Sequence, residues 1–291
     1  MKALQRFVSV VLFTGFFMLS CGCSSYLDEE DASVNNGDKY KRYEYPFTLT
    51  LSKKKLLGWD IELYKYTPAW ALAKAVYEQD TARIHKICIR NKSLLSFKEE
   101  KFGMTVLDWA VRNDRYFSAR ALLLEGADPN ARCIPTNTPF LEAADKKETA
   151  NYLKLLLKFG GRVNDVCANS DYDVTPLKRA SHSNLESVKI LVEAGADITF
   201  NTDGYTTALS WAVIAGKLDI ALYLIENGAD YTLPIWRDAE REDAERTLYL
   251  VDFLKLSESE YGSEEYKLKE KIIEYMATHK QGKQGDTISK K

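Results

Sequence analysis

The chain has 291 residues, with 40 Lys and Arg against 42 Asp and Glu for a formal charge of −2, and 45% of it is apolar. That length supports one full core or two small ones, and the composition is that of a globular rather than a disordered chain. Basic and acidic residues are interspersed, which removes the basic stripe that nucleic-acid binding requires, so no nucleic-acid partner is expected.

Residues 1–20 open with Lys2 and Arg6, followed by a nearly unbroken apolar run from Phe7 to Leu19. Thirteen residues are too few to span a bilayer as a helix, and a basic flank with a short apolar run fits a secretory signal. The stretch Met18-Leu19-Ser20-Cys21 resembles the lipobox of bacterial lipoproteins. That resemblance implies a mature chain beginning at an acylated, palmitate-bearing Cys21, held firmly at a membrane by several acyl chains. Cys23 is a second candidate, to which Ser20 is less well suited. Gly22 is not the aspartate that retains lipoproteins in the inner membrane, so the resemblance implies the outer membrane, facing the periplasm. Loss of Lys2 and Arg6 with the signal moves the formal charge from −2 to −4.

Residues 21–40 are polar, carry four consecutive acids from Asp28 to Asp31, and read as a flexible tether. Residues 41–67 form an extension with alternation at Phe47-Thr-Leu49-Thr-Leu51 and at Trp59-Asp-Ile61-Glu-Leu63-Tyr64, the pattern of two short strands in a hairpin.

From residue 68 to 232 one pattern recurs. Gly126-Ala-Asp128, Gly160-Gly-Arg162, Gly195-Ala-Asp197 and Gly228-Ala-Asp230 lie 34, 35 and 33 residues apart. Ahead of them stand GMTVLDWA (103–110), NTPFLEAA (137–144), VTPLKRAS (174–181) and TTALSWAV (206–213), with a worn copy, WALAKAV, at 70–76. Thr105, Thr138 and Thr175 suit the N-cap of a helix, and Pro139 and Pro176 its first turn. Ala75, Ala110, Ala143, Ala180 and Ala212 are small where two helices must approach. Each glycine can end a second helix in the left-handed conformation. A single such unit buries one face only, so neighbours must stack.

This double signature in phase resembles the ankyrin repeat, over five units. The resemblance implies an all-α solenoid of helix pairs. The family's helix-start histidine is replaced by Ala73, Asp108, Leu141, Lys178 and Ser210, which implies loss of its hydrogen-bond network. Repeat three also lacks Ala-Asp after its glycine. Residues 233–280 read as a helical cap, with amphipathic helices at 237–256 and 263–278, and 281–291 as a disordered tail.

No cofactor, metal or small-molecule substrate is expected. His85, His182 and His279 fall in different units, and none of the familiar nucleophile, metal or phosphate motifs occurs, so no catalytic residue is assigned. Cys88, Cys133 and Cys167 read as small buried residues. Cys133 and Cys167 occupy equivalent finger positions, yet packed helices are about 8–10 Å apart and a disulfide wants Cα atoms within about 7 Å, so a bridge would require the fingers to bend together. In the ankyrin resemblance the residues flanking the repeat's alanine border the concave groove. This makes Trp109, Arg112, Glu142, Asp145, Arg179, His182 and Trp211 the candidate partner-binding residues, with the finger residue Tyr205, and Phe102, Tyr172 and Phe200 as further finger aromatics. Tryptophan, tyrosine and arginine are common interface anchors, though the tryptophans could equally fill gaps between layers.

These features together lead to the expectation of a non-catalytic, lipid-anchored binder of another protein. By analogy this is an immunity protein that blocks a periplasm-delivered toxin, such as a lipase effector, encoded beside it. The alternatives are an envelope scaffold supporting stress enzymes, and a cryptic enzyme or ligand-binding segment within 41–66.

Overall fold

The computed structural model describes residues 56–133, 137–147, 149–168, 173–237, 247–257 and 259–279. Cys21, Cys23, the tether, the first expected strand at 47–51, Tyr172 and the tail lie outside the described residues. The chain forms two compact units, one described from residue 56 to 196 and the other from 197 to 279.

The first unit contains four helix pairs: α1 (Trp70–Tyr77) with α2 (Thr81–Arg90), α3 (Val106–Arg112) with α4 (Tyr116–Leu124), α5 (Pro139–Ala144) with α6 (Asn151–Lys158), and α7 (Pro176–Ser181) with α8 (Leu185–Glu193). First helices pack on first helices, α1 on α3, α3 on α5 and α5 on α7, while α2, α4 and α6 form the second row. The all-α helix-pair architecture expected from the repeats is present. Ala75, Ala110, Ala143 and Ala180 have no solvent exposure, as suits small residues on helices packed against their neighbours.

The local signals act as their chemistry dictates. Thr105, Thr138 and Thr175 each accept, at the side-chain oxygen, the backbone N–H three residues on, and Pro139 and Pro176 stand in the first turn. Gly126, Gly160 and Gly195 take φ of +99°, +90° and +87° just beyond the second helices, a conformation that costs other residues more.

The lost histidine network is partly replaced, which corrects the expectation of simple loss. Asp108 closes a capping box, its Oδ2 accepting from Thr105 N at 2.9 Å and Thr105 Oγ1 at 2.7 Å. Lys178, fully buried, donates from Nζ to the Asp173 carbonyl at 3.0 Å. The irregular glycine of repeat three also has a cause: a Cβ at Gly161 would lie 2.5 Å from Phe140 Cε2 and 3.1 Å from the Leu156 carbonyl oxygen. The Phe140 ring occupies the space that Ala127 and Ala196 fill in their layers.

Fingers connect the pairs. Cys133 bridges Asn137, and β1 (Cys167–Ala168) pairs antiparallel with β2 (Asp173–Val174). Asparagines link successive layers, with Asn130 Nδ2 donating to the Gly160 carbonyl and Asn164 Nδ2 to the Gly195 carbonyl, both at 2.9 Å. Cys88, Cys133 and Cys167 are free and buried, with no bridge between the last two.

The expected strand at 59–64 is instead a short 3-10 helix, Ile61–Tyr64. Its Leu63 and Tyr64 are fully buried, and Tyr64 Oη donates to the Met104 carbonyl at 3.0 Å. Tertiary burial of two consecutive residues overrides the period-two pattern.

In the second unit α9 (Ala208–Ile214) packs on α10 (Leu218–Glu226), and Ala212 is again fully buried. Thr207 caps α9 through a second box, closed by Ser210. The helix expected over 237–256 is shorter: β3 (Trp236–Arg237) pairs with β4 (Thr247–Leu248), residues 238–246 lie outside the described residues, and α11 covers Leu250–Leu256. The last helix, α12 (Glu264–Thr278), packs on α10 through buried Ile272, while Ile273 stays exposed. Among the described residues no helix is long and apolar enough to cross a membrane.

Candidate functional site

The candidate residues sit at two positions of each first helix, immediately before the buried alanine and two residues after it. One rule connects them through the first unit: the residue two after one alanine meets the residue before the next. The Tyr77 and Trp109 rings are 6.2 Å apart at 44°. Arg112 Nη2 donates to Glu142 Oε2 at 3.0 Å, and Arg179 Nη1 to Asp145 Oδ2 at 3.4 Å. The charge order reverses between the last two contacts, so each layer accepts its own neighbour and would repel a register-shifted one.

These contacts change what the side chains can do. Arg112, Glu142, Asp145 and Arg179 are all half-buried and already paired within the chain. Glu142 Oε2 also accepts from Asn137 Nδ2 at 2.8 Å, tying the finger to its helix. His182 Nε2 lies 2.9 Å from Asp145 Oδ1. Burial raises the affinity of Asp145 for a proton, but the His182 contact and the Arg179 charge outweigh it and hold the carboxyl below its ordinary value. The carboxylate is therefore stabilised as a charged inter-layer link.

Trp109 is 1% exposed and Trp211 6%. Both rings are buried within the chain, Trp109 beside Tyr77, which is the disposition of tryptophans that fill gaps between helices. The exposed aromatic surface belongs to their neighbours. Tyr77 is 51% exposed, with the Arg115 guanidinium 5.3 Å from its ring centroid. Phe102 is half-buried on its finger, beside Lys101. In the second unit Tyr205 and Phe200 are half-buried, and the Tyr205 N–H donates to Asp203 Oδ1 at 3.0 Å.

The extension before α1 borders this surface. Lys101 Nζ donates to the Leu56 carbonyl at 2.8 Å, and the Gly58 α-carbon faces the Arg112 side chain, where a Cβ would lie 3.6 Å from Cδ. Residues 56–64 thus brace the first finger. Among the described residues no three His, Cys, Asp or Glu side chains are grouped to hold a metal ion.

Comparison with known proteins places the repeats. The model described as "Ankyrin repeats (3 copies)" matches residues 141–235, and that described as "Ankyrin repeat" matches residues 102–134. The chain is 33% identical over 154 residues to Protein PhlB of Serratia liquefaciens, covering 53% of this chain and 65% of that protein. It is 28% identical over 174 residues to neurogenic locus notch homolog protein 1 of Mus musculus, which is 60% of this chain and 6% of that protein. With neurogenic locus notch homolog protein 2 of Homo sapiens it shares 29% over 154 residues, again 6% of that protein. The chain thus spans less than two thirds of these relatives' lengths. The helix pair α1–α2 precedes both matched ranges and adds a further layer of the same kind.

Proposed function

From the premise that the chain carries ankyrin repeats, a fold that generally serves protein–protein interaction without catalysis, we propose that it is a lipid-anchored envelope protein that binds and neutralises a toxin. The toxin is a periplasm-delivered effector, such as a lipase, encoded by a neighbouring gene. The observation carrying this reading is the order of parts: a basic and apolar leader ending at Met18-Leu19-Ser20-Cys21, a polar tether, then the repeat array. An acylated Cys21 would place the array on the periplasmic face of the outer membrane, where an incoming toxin first meets it. The similarity to Protein PhlB supports a small bacterial protein, because the chain spans ten times more of that relative than of the Notch proteins.

Contact would be made by the exposed groove edge and finger of the first unit, at Tyr77 and Phe102, with the accessible faces of Arg112, Asp145 and His182. On the second unit it would be made by Tyr205. Truncating an aromatic anchor typically costs about 2–4 kcal/mol of binding. The test has two parts. Cys21→Ala should move the protein from the membrane to the soluble fraction and abolish labelling by a palmitate analogue; retention of both would overturn the anchor. The purified mature chain should inhibit the neighbouring toxin, with Tyr77→Ala and Tyr205→Ala weakening the complex at a temperature well below the melting point of either variant. If the neighbour's product does not bind, the immunity reading fails, and an envelope scaffold becomes the reading to pursue.

A further inference from the structure

The segment that opens the array, residues 56–67, has a fixed inner side and an aromatic outer one. On the inner side Leu63 and Tyr64 have no solvent exposure, Tyr64 Oη donates to the Met104 carbonyl, and Lys101 Nζ holds the Leu56 carbonyl. On the outer side Trp59 is 55% exposed and Tyr66 90%. Backbone bonds from Asp60 to Leu57, Leu63 to Asp60 and Lys65 to Glu62 make a ladder of three-residue turns, so Trp59, Glu62 and Lys65 follow one edge. Glu62 and Lys65 pair there at 3.6 Å, and Lys65 Nζ lies 5.5 Å from the Tyr66 ring centroid.

Tyr66 has φ of +63°, a left-handed conformation that an aromatic residue adopts only at a cost. Thr67 holds it there, with its N–H and its hydroxyl both donating to the Tyr64 carbonyl, at 3.1 and 2.6 Å. Packing does not account for a strained residue whose ring is left in water. Charge follows the aromatics. Lys53, Lys54 and Lys55 stand directly ahead of Leu56 in the sequence, and chain connectivity keeps them within about 11 Å of it. Residues 52–66 carry four lysines and two acids, a net charge of +2. Both acids are engaged, Asp60 Oδ2 by the Leu57 N–H at 2.5 Å and Glu62 by Lys65. The charges behind the segment cancel: Lys98 and Lys101 balance Glu99 and Glu100 on the first finger, and Arg112 pairs with Glu142.

We propose that this end of the array is a second membrane contact, in which Trp59 and Tyr66 enter the headgroup region of an anionic phospholipid bilayer and the lysines lie over its phosphates. Tryptophan and tyrosine settle at membrane–water interfaces, and clustered lysines are drawn to anionic lipid. Protein interfaces are depleted in lysine, which favours lipid over a protein partner. The proposal rests on the lipid-anchor reading above for the bilayer being at hand. Between Cys21 and Leu56 stand 34 residues, a length that as a flexible coil spans roughly 30–35 Å. At that range a weak patch is engaged, whereas alone it does not hold an unacylated chain through fractionation. It uses none of the residues assigned to toxin binding.

The test uses the mature chain produced without residues 1–20, which carries no acyl group, so its outcome is independent of the Cys21 anchor. At low salt the chain should sediment with vesicles of phosphatidylcholine and phosphatidylglycerol, bind phosphatidylcholine vesicles about tenfold or more weaker, and be released by added salt. Lys53→Glu with Lys54→Glu should lower the affinity by about tenfold or more. The same change of charge at Lys158→Glu with Lys189→Glu, exposed on α6 and α8, should leave it within about twofold. Trp59→Ser with Tyr66→Gly should lower it as the lysine pair does, at a retained melting transition, because glycine keeps the positive φ without the ring. Brominated acyl chains should quench the native tryptophan fluorescence, and Trp59→Ser should abolish that quenching. No preference for anionic vesicles, equal effects of the two charge pairs, or binding and quenching that survive loss of the two rings would overturn the proposal. Any of these would leave the Cys21 anchor standing, since fractionation of Cys21→Ala tests it separately.

Discussion

Replacing Asp108 by asparagine should flatten the dependence of stability on pH. Asp108 is 5% exposed at the start of α3. Burial pushes its carboxyl up to about 7, with nearby Glu142 acting in the same direction, against the hydrogen bonds from Thr105 and the charge of Arg112. An acid bound more tightly by protons in the folded state than in the unfolded one destabilises the fold as pH rises between the two values. Below about pH 4, both states are protonated and nothing is lost. From there to about 7 the unfolded chain ionises and the folded one does not, so stability falls at about 1.4 kcal/mol per pH unit, then levels off. Between pH 5 and 8 the loss attributable to Asp108 is about 3 kcal/mol. Asp145 has the opposite sign and works elsewhere: its depressed value gives stability present above the ordinary carboxylate range and lost only as pH falls through the lower value. The amide introduced by Asp108→Asn would keep an acceptor for the Thr105 N–H and lose the titration. Urea denaturation of both chains at pH 5, 6, 7 and 8 measures the difference and cancels every other titrating group. Parallel curves for the two proteins would refute the reasoning, and would mean that Thr105 and water solvate the Asp108 carboxylate well enough to keep it charged.

Other consequences follow from packing. Gly161→Ala should destabilise the chain by about 1–3 kcal/mol through overpacking, and Phe140→Leu in the same chain should recover part of the loss in a melting experiment; no coupling between the two would contradict the ring contact. Ala180→Leu, at a fully buried helix contact, should cost a similar ~1–3 kcal/mol, and an unchanged melt would put the stacking of α7 in doubt. Trp109→Ala should lower stability by about 3–5 kcal/mol, as buried aromatic truncations do, before any effect on partner binding; a variant with native stability and lost binding would restore it as an anchor.

The fold was legible because each of its local decisions has a short-range cause. Threonine caps α3, α5 and α7, proline stands in the first turn of α5 and α7, and glycine takes the left-handed exit after α4, α6 and α8, so those ends could be read from spacing, whereas α1 starts after Ala69 with no side-chain cap and α2 ends at Asn91 with no glycine. What could not be read depended on partners distant in sequence. Residues 59–64 carry a strand's alternation, yet Tyr64 reaches Met104 and the segment coils into a 3-10 turn to bury Leu63 beside it. Gly161 looked like decay of the repeat until the Phe140 ring was found where its Cβ would be. The replaced histidines show the same limit. Asp108 and Ser210 each stand three residues after a threonine, a capping-box spacing that sequence could have signalled, whereas the bond from Lys178 to the Asp173 carbonyl required the finger's course.

The candidate residues were legible as one set by their spacing, and the structure adds contacts among them that the spacing was not read for. Residues flanking the repeat's alanine do line one edge of the stack, but the same spacing brings each to its counterpart in the next layer. Tyr77 with Trp109, Arg112 with Glu142, and Asp145 with Arg179 are therefore contacts between layers before they are contacts with anything else. That signal was present in the sequence: an Arg two after one alanine faces a Glu before the next, and an Asp two after faces an Arg. Complementary charge at a fixed phase marks an internal ladder. A residue at these positions stays available to a partner only where it is larger than its counterpart can cover, as the half-exposed Tyr77 ring is over buried Trp109. In the proposed binding function the overhanging rings and the fingers would carry most of the contact, with the paired charges holding the layers in register and offering only their accessible faces.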